Sequence, residues 1–171
     1  RIEYQKGIDI LLDSIIKISK EKKRKLYDFE IIGDGSLSHL VKESIRIYNL
    51  KGLLKYKSES DNPLKHIRKS NIVIHPSRFE GMSNVILEAM SCGKCVISSY
   101  QSSSGIITNY KDGILMKDLS SSEIINSLDK VSSNRVLITN IGLNAINTIK
   151  NNYSEKRVFE LWSKTLKLTY E

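Results

Sequence analysis

Two cysteines and two prolines in 171 residues set the first limits on this chain. Two thiols are too few for a disulfide framework, which fits a reducing, cytoplasmic setting. No apolar run approaches the roughly 18–20 residues that a membrane-crossing helix needs, and the start does not read as a signal peptide. Aromatic residues make up only 7%, and no aromatic-interleaved basic motif accompanies the charge. The net charge of +8 therefore comes without a nucleic-acid motif. No Asp-x-Asp pair occurs, and His39, His66 and His75 are too widely spaced to form a metal cluster. No metal and no cofactor is expected.

With 40% hydrophobic residues, the chain is long enough for one domain with a real core. Short apolar runs alternate with amphipathic stretches. Helices are expected over residues ~7–23, from Leu37 to Tyr48, briefly after Pro63, and repeatedly beyond Ser120, with breaks around residues 132–134 and 151–154. Strands are expected at residues 28–32, 53–57, 72–76, 95–98 and 113–116. Buried strands alternating with helices predict an α/β fold with a parallel, doubly wound sheet. Residues 1–152 form the core in this reading, and residues 153–171 a C-terminal helix with Val158, Leu161, Trp162 and Leu166 on its apolar face. The basic run Lys20-Glu-Lys-Lys-Arg-Lys25 reads as the solvated end of the first helix, with attraction to anionic lipid or an anionic acceptor as the alternative.

The most informative stretch is Glu80-Gly-Met-Ser-Asn-Val-Ile-Leu-Glu88. It follows the apolar run Ile72-Val-Ile-His-Pro76 and leads into a helix that starts near Ser83 or Asn84 and stops at Gly93. Strand, glycine loop and helix N-terminus together aim free backbone N–H groups and a partial positive charge at one point, which suits a phosphate. On the helix, Val85, Ile86, Ala89 and Met90 are expected to face the sheet, leaving Asn84 and Glu88 on the other side.

This stretch resembles the donor-site motif of GT-B glycosyltransferases, most closely the retaining family 4 group, whose two glutamates have the same spacing. Four further segments fall in family order. Arg1-Ile-Glu-Tyr-Gln-Lys6-Gly7 resembles the donor-phosphate segment, and Ile31-Ile-Gly-Asp-Gly35 the second glycine turn. Glu88-Ala-Met-Ser-Cys-Gly-Lys-Cys-Val-Ile97 and Asp112-Gly-Ile-Leu115 follow. Two positions depart from the pattern: Cys95 stands where the family usually has proline, and Gly105 where it often has glutamate.

The resemblance implies a Rossmann-like domain, the C-terminal half of a GT-B fold, with an acceptor-binding domain and the first strand of the sheet preceding Arg1. It implies sugar transfer, with retention, from a nucleotide-diphosphate sugar, UDP-linked or GDP-linked, to a glycan or lipid-linked acceptor, at the cytoplasmic face of a membrane. By the same resemblance Arg1 and Lys6 neutralise the diphosphate, and the N–H groups of Gly81, Met82 and Ser83 cradle it. Glu88 takes the ribose hydroxyls, Glu80 faces the sugar, and Asn84, Gly33 and Gly35 line the cleft.

Other readings stay open. Gly33-Asp-Gly-Ser-Leu-Ser38 nearly spells a dinucleotide fingerprint, although Ser38 replaces its third glycine. An NAD-binding oxidoreductase, a nucleotide-binding module without transfer activity, and a nucleotide-sugar epimerase are the alternatives. Cys92-Gly-Lys-Cys95 sits at a helix C-terminus, the wrong end for a redox pair. His75, at a strand's C-terminal end, either lines the site or packs at its boundary.

Overall fold

In the computed structural model, residues 1–103 and 105–168 are described. Five strands, β1 (Phe29–Ile32), β2 (Leu54–Lys57), β3 (Ile72–His75), β4 (Cys95–Ser99) and β5 (Ile114–Met116), pair in parallel throughout. They form two sheets, β1-β2 and β3-β4-β5, rather than a single continuous one. The helices are α1 (Ile8–Ser19), α2 (Ser38–Ile47), α3 (Pro63–Lys69), α4 (Asn84–Ser91), α5 (Tyr100–Ser103), α6 (Ser121–Ser132), α7 (Arg135–Asn152) and α8 (Glu155–Leu168). This is the expected α/β architecture, with parallel strands covered by helices. Of residues 153–171, Glu155–Leu168 form helix α8, Tyr153 closes α7, and residues 169–171 lie outside the described residues.

Side chains that alternate along a strand point to opposite faces, and here both faces are apolar. From β4, Cys95 and Ile97 join Ile18 of α1 with Ile124, Leu128 and Val131 of α6. Val96 points the other way, to Ile86, Ala89 and Met90 of α4 and Ala145 of α7. A third cluster, with Leu12 and Ile15 of α1, Ile31 of β1 and Val41 of α2, fills the space around β1-β2. Helix α1 contributes to two clusters and so couples the two sheets.

Three sequence expectations are corrected. The first helix ends at Ser19, because its apolar stripe ends at Ile18. Most of the basic run lies beyond it in a separate 3₁₀ turn, Lys22–Leu26, where Arg24 donates to the carbonyls of Asn49 and Lys51. Val85 is 42% exposed instead of facing the sheet. It sits in the first turn of α4, while half-buried Leu87 packs against the core with Ile86, Ala89 and Met90. Val158, Phe159, Leu161, Trp162 and Leu166 of α8 are exposed, Trp162 at 64%. Among the described residues no helix is long and apolar enough to cross a membrane.

Helix α4 stops where the sequence predicts. Gly93 adopts φ +67, and Lys94 N–H reaches back to Ala89 O, closing the last turn. Gly142 of α7 lets that helix come close to the same turn: a Cβ on it would lie 2.1 Å from Gly93 O. Backbone cannot yield as a flexible side chain does. Gly142→Ala is therefore expected to destabilise the fold by about 1–3 kcal/mol despite alanine's better helix propensity. Urea denaturation midpoints check this, and an unchanged or raised midpoint contradicts the close packing of α4 on α7.

Candidate functional site

The site forms where residues 1–7 lie against the loop that joins β3 to α4. A 3₁₀ turn, Tyr4–Lys6, ends at Gly7 with φ +66. A Cβ there would lie 2.0 Å from Pro76 O, so the turn can seat only with glycine at this position. Gln5 O accepts from Arg78 N–H at 2.7 Å and Ser77 Oγ at 2.9 Å, and Gln5 Nε2 donates to Phe79 O at 2.8 Å. Arg78 donates twice to Asp9, at 2.9 and 2.7 Å, and stacks on the Tyr4 ring at 3.6 Å. The Arg78 hydrogen bonds hold the Asp9 carboxyl below its ordinary range.

That docking brings Lys6 onto Glu80, with which it forms a short ion pair. Glu80 also lies 2.9 Å from Ser77 Oγ, whose one proton it shares with Gln5 O, and 3.6 Å from His75 Nε2. Burial pushes the Glu80 carboxyl up, but the Lys6 and Ser77 hydrogen bonds and the Lys6 charge outweigh it, so the group stays ionised. His75 is buried and donates to or accepts from Ser83 Oγ at 3.1 Å. Desolvation brings its pKa from 6.5 down to about 4; the Glu80 carboxylate opposes that shift and Lys6 adds to it. At neutral pH the ring is uncharged.

Ser83 precedes α4, yet its side chain makes no capping bond to the helix. Among the described residues, no acceptor meets the backbone N–H groups of Gly81, Met82, Ser83, Asn84 or Val85. Gly81 is not at positive φ, and a Cβ on it would meet nothing within 4 Å. The fold itself does not demand glycine there. Its missing side chain leaves the row of N–H groups approachable, and the helix dipole adds to their pull on an anion.

The other sequence-predicted residues fall into two places. Ile2 N–H donates to Asp34 O at 2.9 Å and Leu37 N–H to Ile2 O at 3.1 Å, which lays residues 1–3 along the glycine turn. Gly35 is required there, since a Cβ would lie 2.4 Å from Ile2 O. Arg1 is exposed beside Gly33. Glu3 anchors the turn by accepting from Ser36 N–H and Oγ. Glu88 lies about one turn inside α4, half-exposed like a free handle, and Asn84 is exposed near it. Neither side chain has a hydrogen-bond partner among the described residues.

Residues 77–80 hold most of what the sequence reading missed. Ser77, Arg78 and Asp9 are fully local in appearance, and their pairings span about 70 residues of chain. Beneath them lies a buried serine floor: Ser99 Oγ donates to Ser77 O, and Ser98 Oγ to His75 O at 3.1 Å, with Ser102 bonded to both hydroxyls. The thiol pair forms no site. Cys95 is buried at the start of β4, where burial pushes its thiol up to about 12. Among the described residues no group of three or more His, Cys, Asp and Glu is placed to hold a metal ion. His39 and His66 lie elsewhere, against Ser36 O and Glu30.

Comparison with known proteins gives this arrangement its class. The family described as Glycosyl transferases group 1 matches residues 1–148, and the chain belongs to that family, whose fold is of GT-B type. An uncharacterised glycosyltransferase of Methanocaldococcus jannaschii is 28% identical over 167 residues, 96% of this chain and 42% of that protein. The poly(ribitol-phosphate) alpha-N-acetylglucosaminyltransferase of Staphylococcus aureus is 25% identical over 164 residues, 95% of this chain and 33% of that protein. The chain thus spans less than half the length of these relatives. Among solved structures, S. aureus TarM in complex with fondaparinux, alpha-GlcNAc-glycerol and UDP superposes with a TM-score of 0.86 at 24% identity, over 96% of this chain and 33% of that one. Anabaena HepE in complex with UDP superposes at 0.85 and 21% identity, over 98% of this chain and 46% of that one.

The buried neutral imidazole has a measurable consequence. Below pH 6.5 the unfolded chain takes up a proton on His75 that the folded chain refuses. The contribution to stability is full above that pH, falls as pH drops toward about 4, and levels off below, where both states are protonated. The slope is at most about 1.4 kcal/mol per pH unit. His75→Gln should remove this part of the slope. Urea midpoints measured for both proteins between roughly pH 7 and 4.5 check it, and parallel profiles contradict it.

Proposed function

We propose that the chain is the donor-binding domain of a retaining, family 4-like hexosyltransferase that takes a nucleotide-diphosphate sugar. The observation that carries this reading is the row of unpaired N–H groups at the N-terminus of α4, flanked by Lys6 and Glu80. A diphosphate bridges these donors, with Lys6 and Arg1 supplying positive charge. That charge matters most as the sugar–phosphate bond breaks and the leaving diphosphate becomes more negative, so it stabilises the transition state more than the ground state. Glu80, kept ionised beside the phosphates, faces the sugar and supports the positive charge developing on its ring. Glu88 accepts from the ribose hydroxyls; Asn84, Gly33 and Gly35 line the same cleft.

The donor is read as a UDP-sugar, in keeping with the UDP and UDP-glucose complexes of the TarM and HepE structures. Acceptor recognition, for a glycan or lipid-linked acceptor in polysaccharide assembly, falls to a further domain. Its setting is the cytoplasm, at or near the membrane face.

Lys6 has a double duty here. It neutralises Glu80 before the donor arrives and shares its charge with the diphosphate afterwards. Glu88→Ala should weaken free UDP by roughly 1.5–3 kcal/mol, the loss of charge-assisted hydrogen bonds. Glu80→Gln should not weaken free UDP at all, because it releases Lys6, yet in the intact enzyme it should lower kcat. Calorimetry on the free nucleotide and steady-state kinetics check the pair, and equal loss of UDP affinity in both variants contradicts the division of roles. Diphosphate binding is also expected to survive a chelator; its abolition by EDTA would show that a divalent metal carries the phosphates.

A further inference from the structure

Among the described residues four helices are closed in the ordinary way, by a side chain that accepts from the backbone three residues on; at α8 Ser154 Oγ accepts from Arg157 N–H at 3.4 Å. Asn62 caps α3 through Lys65 N–H at 3.0 Å, Ser120 caps α6 through Glu123 N–H at 3.1 Å, and Asn134 caps α7 through Leu137 N–H at 2.9 Å. Ser83 stands at the same position before α4 and has the right side chain, yet makes no such bond. Its hydroxyl is turned to His75 Nε2 at 3.1 Å, and both residues are buried, at 4% and 7% exposure.

The charges around the ring decide which way that bond runs. Nε2 lies 3.6 Å from the Glu80 carboxylate, which is itself paired with Lys6. A lone pair on Nε2 would face that carboxylate and be repelled. A proton on Nε2 points its positive end at Ser83 Oγ with Glu80 close behind. In that tautomer Ser83 accepts from His75, and its own hydroxyl proton is left over.

Resting on the reading of this loop as a diphosphate site, we infer that His75 is a positioning residue for it: by donating to Ser83 Oγ it keeps that hydroxyl from capping α4. The N–H groups of the first turn stay open, and the Ser83 hydroxyl proton joins them as one more donor to a phosphate oxygen. The position of His75 is in turn set from below, where its carbonyl accepts from Ser98 Oγ at 3.1 Å. The imidazole touches no substrate in this account. It acts through Ser83.

A double-mutant cycle with a nucleoside control tests this. UDP, GDP and ADP, and their nucleosides, are titrated by calorimetry into wild type, His75→Phe, His75→Gln, Ser83→Ala and the His75→Phe/Ser83→Ala double variant. For the tightest diphosphate, His75→Phe should raise Kd about tenfold, the effect of losing a hydrogen bond to a charged group, while the nucleoside is unaffected. His75→Gln, whose amide N–H can also donate to Ser83, should stay within about threefold of wild type. In the Ser83→Ala background His75→Phe should add nothing. Wild-type affinity in His75→Phe, an equal loss in both backgrounds, or parallel loss of the nucleoside overturns the inference and leaves the donor-site reading intact. If His75→Phe does not fold, two variants carry the test: Ser83→Ala must weaken the diphosphate without the nucleoside and His75→Gln must bind like wild type, and either failure overturns it. If wild type binds none of the three diphosphates, the donor-site reading falls, and this inference with it.

Discussion

The seating of the Tyr4–Lys6 turn on the loop after β3 is the contact on which the site depends. Gly7 makes it possible, since any side chain there would collide with Pro76 O. Two backbone-directed bonds to Gln5 O and the two-pronged Arg78–Asp9 pair then fix its register. A fork of two parallel bonds constrains angle as well as distance, which a single lysine contact would not. Only in this register does Lys6 reach Glu80. The remaining features follow: an ionised Glu80, a neutral His75 beside it, and a Ser83 hydroxyl turned away from its own helix.

The same loop shows how a polar site is held without softening the core. Hydroxyls of Ser98, Ser99 and Ser102 satisfy one another and the carbonyls of His75 and Ser77, so the floor beneath Glu80 and His75 is buried but not unpaired. Below that floor, β4 is apolar on both sides and clamped between α1 with α6 and α4 with α7. A site built on strand ends and helix starts inherits the rigidity of that sandwich, which matters where donors must be in place before charge develops. Arrangement at the C-terminal ends of parallel strands is also where open α/β sheets put their ligand crevices.

Local signals in the sequence were enough for the strands, for the stop of α4 at Gly93 and for the glycine loop, because each depends on a short stretch of chain. The alternation of apolar runs with amphipathic stretches gave the parallel α/β architecture. Periodicity puts Val85 on the core face and does not reveal that the first turn of an eight-residue helix stands clear of the core. The basic run reads as part of α1 because charge says nothing about where an apolar stripe ends. What sequence could not reveal was pairing at long range. Asp9 reads as an ordinary first-turn carboxylate, and Arg78 and Ser77 as loop residues; nothing within a few positions of either links them. His75 carries a partial signal, its place at a strand's C-terminal end, but nothing in the sequence pairs its ring with the Ser83 hydroxyl.

If the open N-terminus of α4, with Lys6 beside it, receives the phosphates of a nucleotide, binding must be felt first at its backbone N–H groups. Backbone amide chemical shifts followed during a UDP titration test it most directly. The largest saturable shifts are expected on residues 81–85, with accompanying changes at Lys6 and Gly7 and smaller ones at Glu88. Shifts that leave residues 81–85 unmoved while clustering at the Gly33–Ser38 turn, or on the opposite side around Cys92 and Gly93, would contradict it.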